Sequence, residues 1–151
     1  MDIKSSSGDI SQMDCDAVVV NLFEGVEKPS GVTGSVDISL GGIITDLINE
    51  GEINGKEGSM TLLHTFGRIS PKRVLVLGLG DVEEFDLNVV RKVTADSCRY
   101  LRGKGIKRIG SIVHGMGVVG LQLSQSAQAM TEGILLGLYS FNQYKGKQNG
   151  T

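Results

Sequence analysis

The chain has 151 residues, a net charge of −2, two cysteines and no tryptophan. That length favours one domain with its own core, and the slight negative charge gives no general attraction to nucleic acid or to an anionic membrane. No apolar run approaches the ~18 residues of a membrane span and MDIKSSSGD has no signal-peptide core, so a cytoplasmic protein with no membrane and no nucleic-acid partner is expected.

Residues 1–6 alternate weakly and predict an edge strand, closed by a Ser-Gly-Asp turn at residues 7–9. DAVVVNLF, residues 16–23, is a continuous β-branched run of the kind found in strands buried on both faces. Residues 24–34 hold Pro29 and three glycines and read as a long loop. A single helix is predicted over residues 36–49, with Leu40, Ile44, Leu47 and Ile48 inward and Gly51 as its stop. The pair Gly41-Gly42 within it is read as a site of close backbone packing. Residues 59–66 and 72–79 predict two antiparallel strands joined by a short turn.

Asp86 is placed to cap a helix running to about residue 102, with Leu87, Val90, Thr94, Cys98 and Leu101 facing inward. The cluster Arg99, Arg102, Lys104, Lys107 and Arg108 at its end complements a helix C-terminus, with a phosphate patch as the alternative. A strand over 107–113 and the loop HGMGVVG lead into a helix over 123–145. There Leu123, Ala127, Met130, Ile134, Leu138 and Phe141 form the predicted inner stripe, and ILLGLYSF is expected to lie deep. The pattern β-β-α-β-β-α-β-α predicts an α/β domain, a mixed β-sheet flanked by helices.

Chemistry-bearing patterns are few. His64 and His114 are far apart, and there is no HExxH, CxxC or GxSxG. Both histidines are read as core or loop residues with a satisfied hydrogen bond, Cys15 and Cys98 as reduced core thiols, and Asp9, Asp14 and Asp16 as turn residues flanking a strand. No metal and no cofactor is assigned to this chain. Gly78-Leu79-Gly80 is followed by Asp81, Glu83, Glu84 and Asp86, whose charges would repel a pyrophosphate, so it is read as a turn. Residues 115–120 match GxGxxG between a strand and a helix. No strand follows that helix, which argues against a dinucleotide and leaves a phosphate contact through backbone N–H groups as the alternative.

AQAMTEGILLGLYSFNQYK resembles the segment that closes the N-terminal domain of leucyl aminopeptidases, the cytosol aminopeptidase family. KRVLVLGLGDVEEFDLNVVRKV and SMTLLHTFGRISPKRVLVLGLG are similar to that domain's strand, acid-led helix and preceding hairpin. The resemblance covers about residues 16–145 and implies a non-catalytic structural or regulatory domain of a metallopeptidase that removes N-terminal amino acids. In the family, two divalent metals (manganese or zinc) activate water in a separate C-terminal domain. No segment like NTDAEGR occurs here, so no catalytic or metal-binding residue carries over. The resemblance further implies residues 1–144 as the domain and 145–151 as the start of a linker. The implied partners are an absent C-terminal catalytic domain and, for the parent enzyme, a homohexamer.

A second resemblance, to macro domains that bind ADP-ribose, rests on GDISQMDCDAVVV, SGVTGSVDISL and GMGVVG. It implies a macro-domain-like fold and, as the alternative function, a ligand site at Asp9, Ile10, Gly115, Gly117, Val118 and Gly120, with Asp9 accepting from an adenine amino group. The departure is at Asn21, where Val-Asn-Leu-Phe replaces the Asn-Ala-Ala-Asn segment that lines the distal ribose.

Overall fold

The β-branched runs assemble into a five-stranded sheet in the computed structural model, which describes residues 2–5, 9–115, 118 and 120–148. The elements are β1 (Asp2–Ser5), β2 (Ala17–Phe23), α1 (Gly31–Ser39), α2 (Ile43–Asn49), β3 (Met60–His64), β4 (Arg73–Gly80), α3 (Leu87–Gly103), β5 (Arg108–Ser111) and α4 (Leu123–Gln148). The strand order is β1-β5-β2-β4-β3, parallel except for β3, which runs antiparallel to β4. This is the expected mixed sheet.

The continuous apolar run of β2 is explained by its place in the middle of the sheet. Ala17 and Val19 point into one core with Leu75, Leu77, Val90, Val93, Ala129 and Met130. Val18, Val20 and Leu22 point into the other with Val36, Leu40, Ile44, Val74 and Val76. Thus α3 and α4 cover one face and α1 and α2 the other. Each fully buried valine or leucine contributes roughly 1.5–3 kcal/mol, so the central strands β2 and β4 hold both layers.

The single helix expected over 36–49 is two helices, beginning earlier at Gly31 and bent by 106° between α1 and α2. Gly41 and Gly42 make the break rather than pack on another backbone, with φ of +77° and +85°, a region costly for residues with a Cβ. The close neighbour of Gly41 is a side chain, Arg68 Nη1, 2.5 Å from a would-be Cβ. Both freed helix ends find partners. Asp37, 5% exposed, accepts hydrogen bonds from Ile44 N (2.7 Å), Thr45 N (3.2 Å) and Thr45 Oγ1 (2.5 Å), capping α2 from within α1. Arg68 Nη1 donates to Leu40 O at the C-terminus of α1, 2.9 Å away.

The Gly-Leu-Gly segment is corrected from a turn to the last residues of β4. A Cβ at Gly78 would stand 2.0 Å from Lys56 O, so residues 55–59 lie directly over this backbone. Asp86 caps α3 as expected, accepting from Val89 N at 2.9 Å. At the other end of α3, Arg99 pairs with Asp96 on its own helix and Arg108 reaches Asp14 at 3.5 Å. The strand expected over 107–113 is shorter, ending at Ser111.

The inner stripe of α4 also needs correction. Its buried positions are Ser126, Ala129, Met130, Gly133 and Gly137, whereas Leu123 is 56% exposed; the side chain of Phe141 is outside the described residues. Cβ atoms at Gly133 and Gly137 would lie 2.5 Å from Arg91 O and 2.9 Å from Ala95 O, which shows how closely α4 approaches the α3 backbone. Leu135 and Leu136, expected deep in the fold, are 63% and 52% exposed. The helix runs on through Gln148, three residues beyond the expected end at Lys145.

Candidate functional site

The chain leaves β2 for α1 on one face of the sheet and leaves β5 for α4 on the other. Adjacent parallel strands whose connections diverge in this way open a crevice at their C-terminal ends, where α/β proteins place ligands. A cavity of about 310 Å³ occupies that crevice. Asn21, Leu22 and Phe23 form its floor, Val26 and Pro29 one wall, residues 30–33 at the start of α1 another, and Ile112, Val113 and Gly115 the third. Among the described lining residues none carries a charge, and the polar side chains are largely committed. Thr33 Oγ1 donates to Asn21 O at 2.8 Å, and the Asn21 amide nitrogen lies 3.0 Å from His114 Nδ1. The side chain of Ser30 makes no capping bond to α1.

A second depression, of about 570 Å³, adjoins the first across Gly31 and Val32 and is bounded by Asp9, Ile10, Ser11, Ser35, Val36 and Ser39. Asp9 is turned back on its own 3-10 turn, accepting from Ser11 N (3.0 Å) and Ser11 Oγ (2.5 Å). The proposed ligand residues therefore divide. Gly115 lines the first cavity, Asp9 and Ile10 line the second, Val118 and Gly120 line neither, and Gly117 is outside the described residues. Gly115 has φ +87° and a Cβ there would lie 2.5 Å from the Phe85 ring, so this glycine also has a packing role. Val118 packs on the core, and its N–H donates to Gly115 O at 3.1 Å rather than facing a ligand.

His114 is the titratable group most changed by the fold. It is 1% exposed, and burial with no acid beside it lowers its pKa from 6.5 to about 4. With the Asn21 amide nitrogen donating, Nδ1 accepts and the proton of the neutral ring resides on Nε2. The ring faces a void of only about 10 Å³ between the sheet and α3, beside Thr94, whose Oγ1 has no partner. His64, by contrast, is exposed at the end of β3 with its ring tilted against Phe66. Burial also raises the pKa of Cys98, to about 11, as expected of an unreactive core thiol.

Sequence reading did not find the Asn21–His114 pair, whose members are 93 residues apart. The available signal was a lone amide in an otherwise apolar central strand. Among the described residues, no group of three or more His, Cys, Asp or Glu converges as a metal site would require. No single described helix is long and apolar enough to cross a membrane.

Residues 19–148 match the family profile described as the cytosol aminopeptidase family, N-terminal domain. A protein of Alkaliphilus metalliredigens named "Probable cytosol aminopeptidase" is 35% identical over 145 residues, which is 96% of this chain and 29% of that protein. One of the same name from Geobacter sulfurreducens is 32% identical over 152 residues, covering all of this chain and 30% of its own length. The chain thus spans less than a third of the curated relatives it matches. Among solved structures, the Trypanosoma brucei macrodomain in complex with ADP-ribose aligns with a TM-score of 0.74 and 19% identity, over 91% of this chain and 58% of the other. At that identity the likeness concerns the fold.

Proposed function

The chain belongs to the cytosol aminopeptidase family as its N-terminal domain, and from that premise we propose that it is a non-catalytic structural and regulatory module docking on a peptidase domain through the outer side of α4. The observation that carries this reading is the two-sidedness of α4. One side places Gly133 and Gly137 on the backbone of α3, while the other presents Leu135 and Leu136, 63% and 52% exposed. Adjacent exposed leucines on a helix already anchored from behind are suited to a neighbour. In this proposal residues 1–144 are the module and 145–151 begin the link to the peptidase domain, entered on the last turn of the helix. The two divalent metals, the cleavage of N-terminal residues, the homohexamer and the cytoplasmic location belong to the proposed parent enzyme.

The purified chain is expected to leave leucyl-p-nitroanilide intact with manganese or zinc supplied, and metal-dependent hydrolysis would overturn the proposal. Leu135→Glu with Leu136→Glu should shift the chain's own stability by no more than about 0.5 kcal/mol, as at other surface positions. The same pair should abolish co-purification with a family peptidase domain. Retained co-purification would remove α4 as the docking side.

The crevice supports a second reading, a nucleotide or ADP-ribose module, because it lies where such folds bind ligands and meets the start of α1. Its described lining offers no cation to a phosphate, so any affinity would rest on backbone N–H groups. This reading expects micromolar heats with ADP-ribose in calorimetry, lost in Asp9→Ala and on bulky substitution of Gly117. No heat at millimolar ligand would dispose of it.

A further inference from the structure

β3 ends the sheet with its backbone set out for pairing. β3 is the terminal strand, and its register with β4 fixes which groups face outward. Thr65 N donates to Lys72 O (3.1 Å) and Gly78 N to Ser59 O (2.8 Å), so residues 61, 63 and 65 turn their N–H and C=O groups toward β4, while Ser59 turns only its C=O there and donates its N–H to Lys56 O (2.9 Å). Met60, Leu62 and His64 turn theirs away from the sheet. Natural edge strands are usually blunted by charge, proline or a bulge. Residues 59–66, SMTLLHTF, contain no proline and none of Asp, Glu, Lys or Arg. The β3–β4 register runs unbroken from Met60 to His64; the one bulge among its described neighbours lies before the strand, where Gly58 N and Ser59 O both meet Gly78.

A second feature adjoins this edge. Phe66 is 87% exposed and is the one described non-glycine residue with positive φ, at +52°. With Gly67 at φ +79° and Arg68 N donating to Thr65 O at 3.0 Å, it forms a tight turn with two left-handed central residues. Glycine or asparagine is the usual occupant of such a position. The turn therefore displays an aromatic ring at the end of the open strand although its backbone favours a smaller residue.

We propose that β3 is a strand-addition surface for a second copy of this chain, paired antiparallel about a two-fold axis at Leu62. Several observations select a second copy. The outward groups at 60, 62 and 64 are self-complementary: Leu62 exchanges both bonds with its counterpart, and Met60 does so with His64 of the second copy. An isologous contact of this kind needs no other partner. Residues 59–66 bring no fixed like charges together. The pairing also brings the Phe66 turn to the start of the second copy's β3, beside its Gly58-Ser59 bulge, where nothing lies within 4 Å of a would-be Cβ at Gly58. An aromatic ring covering a glycine at a sheet edge is a known stabilising arrangement. The interface is distinct from the outer side of α4, so the two contacts can be tested separately.

Sedimentation equilibrium of the 151-residue chain should show a reversible monomer–dimer equilibrium between about 1 µM and 1 mM. His64→Pro removes an outward N–H without touching the ladder to β4, and should raise the dimer dissociation constant about tenfold or more. His64→Thr, which keeps that N–H, should change it less than about twofold. Phe66→Gly should weaken the dimer while the monomer folds at least as well, because glycine suits the left-handed turn. Hydrogen exchange adds a signature. Amides of Met60, Leu62 and His64 should slow as concentration rises, while those of Thr61 and Leu63 stay protected throughout. A monomer across the range, a dimer indifferent to both His64→Pro and Phe66→Gly, or slowing without the alternation would overturn the proposal.

Discussion

Acidification from pH 6.5 to 4 is expected to remove about 3 kcal/mol of folding stability through His114 alone. The side chain is 1% exposed, and its pKa falls from 6.5 to about 4 because burial penalises the cation. Between those values the unfolded chain takes up a proton that the folded chain refuses. The contribution is therefore complete above pH 6.5, declines as pH falls through the window and levels off below about 4. The Asn21 contact reinforces the sign, since a proton on Nδ1 would face the amide nitrogen 3.0 Å away instead of accepting from it. Urea unfolding at a series of pH values checks this. Wild type should lose stability across the window, and His114→Gln, less stable at pH 7, should lose about 3 kcal/mol less on acidification. Equal pH slopes for the two proteins would show that His114 does not titrate in this way. Because the residue joins the β5–α4 connection to β2 at the crevice wall, acid should first loosen the crevice.

Gly133→Ala is expected to destabilise the domain by about 3 kcal/mol, the upper end of what overpacking costs. In an exposed helix the same substitution would stabilise by up to about 1 kcal/mol. Packing decides the sign here: the added methyl would stand 2.5 Å from Arg91 O and 2.9 Å from Thr94 Cβ, and a backbone carbonyl cannot move aside cheaply. Gly103, the last residue of α3, supplies the contrast, because nothing lies within 4 Å of its would-be Cβ. Gly103→Ala should be neutral or stabilising by up to about 1 kcal/mol. Paired denaturation curves test both, and similar shifts for the two variants would contradict the close approach of α4 to α3. Gly133→Ala should also speed proteolysis of α4, because that glycine side is what anchors the helix and orients Leu135 and Leu136 outward.

Residues 17–23 were legible because a strand buried on both faces must be apolar at every position, and such a run has few other uses. The cap at Asp86 was legible for a similar reason: a short acceptor ahead of a periodic apolar segment has a local partner, Val89 N, three residues on. Gly41-Gly42 was misread because composition does not reveal the sign of φ. The long-range bond from Arg68 to Leu40 O, 28 residues apart, is part of what holds the bend. The face of α4 was misread because periodicity gives weight to large side chains, whereas two backbones in close contact bury small ones. Gly133 and Gly137 took the inside with Met130; Ala127, Ile134 and Leu138 lie half-buried on its flank, and Leu123, Leu135 and Leu136 were left outside. The crevice was half legible. Gly115 and Asp9 were located near the start of α1, but in adjoining cavities, and the Asn21–His114 pair needed β2 and β5 to be neighbours before it could exist.

The sequence by itself determined the strands in their order, the mixed sheet, the cap of α3 and the family, because these depend on local periodicity or on the identity of residues in register. Tertiary structure decided which side of α4 is buried, where the helix after β2 breaks, that β3 ends the sheet and why one histidine resists protonation. Those outcomes depend on distances between segments far apart in the chain and on the water that their packing excludes.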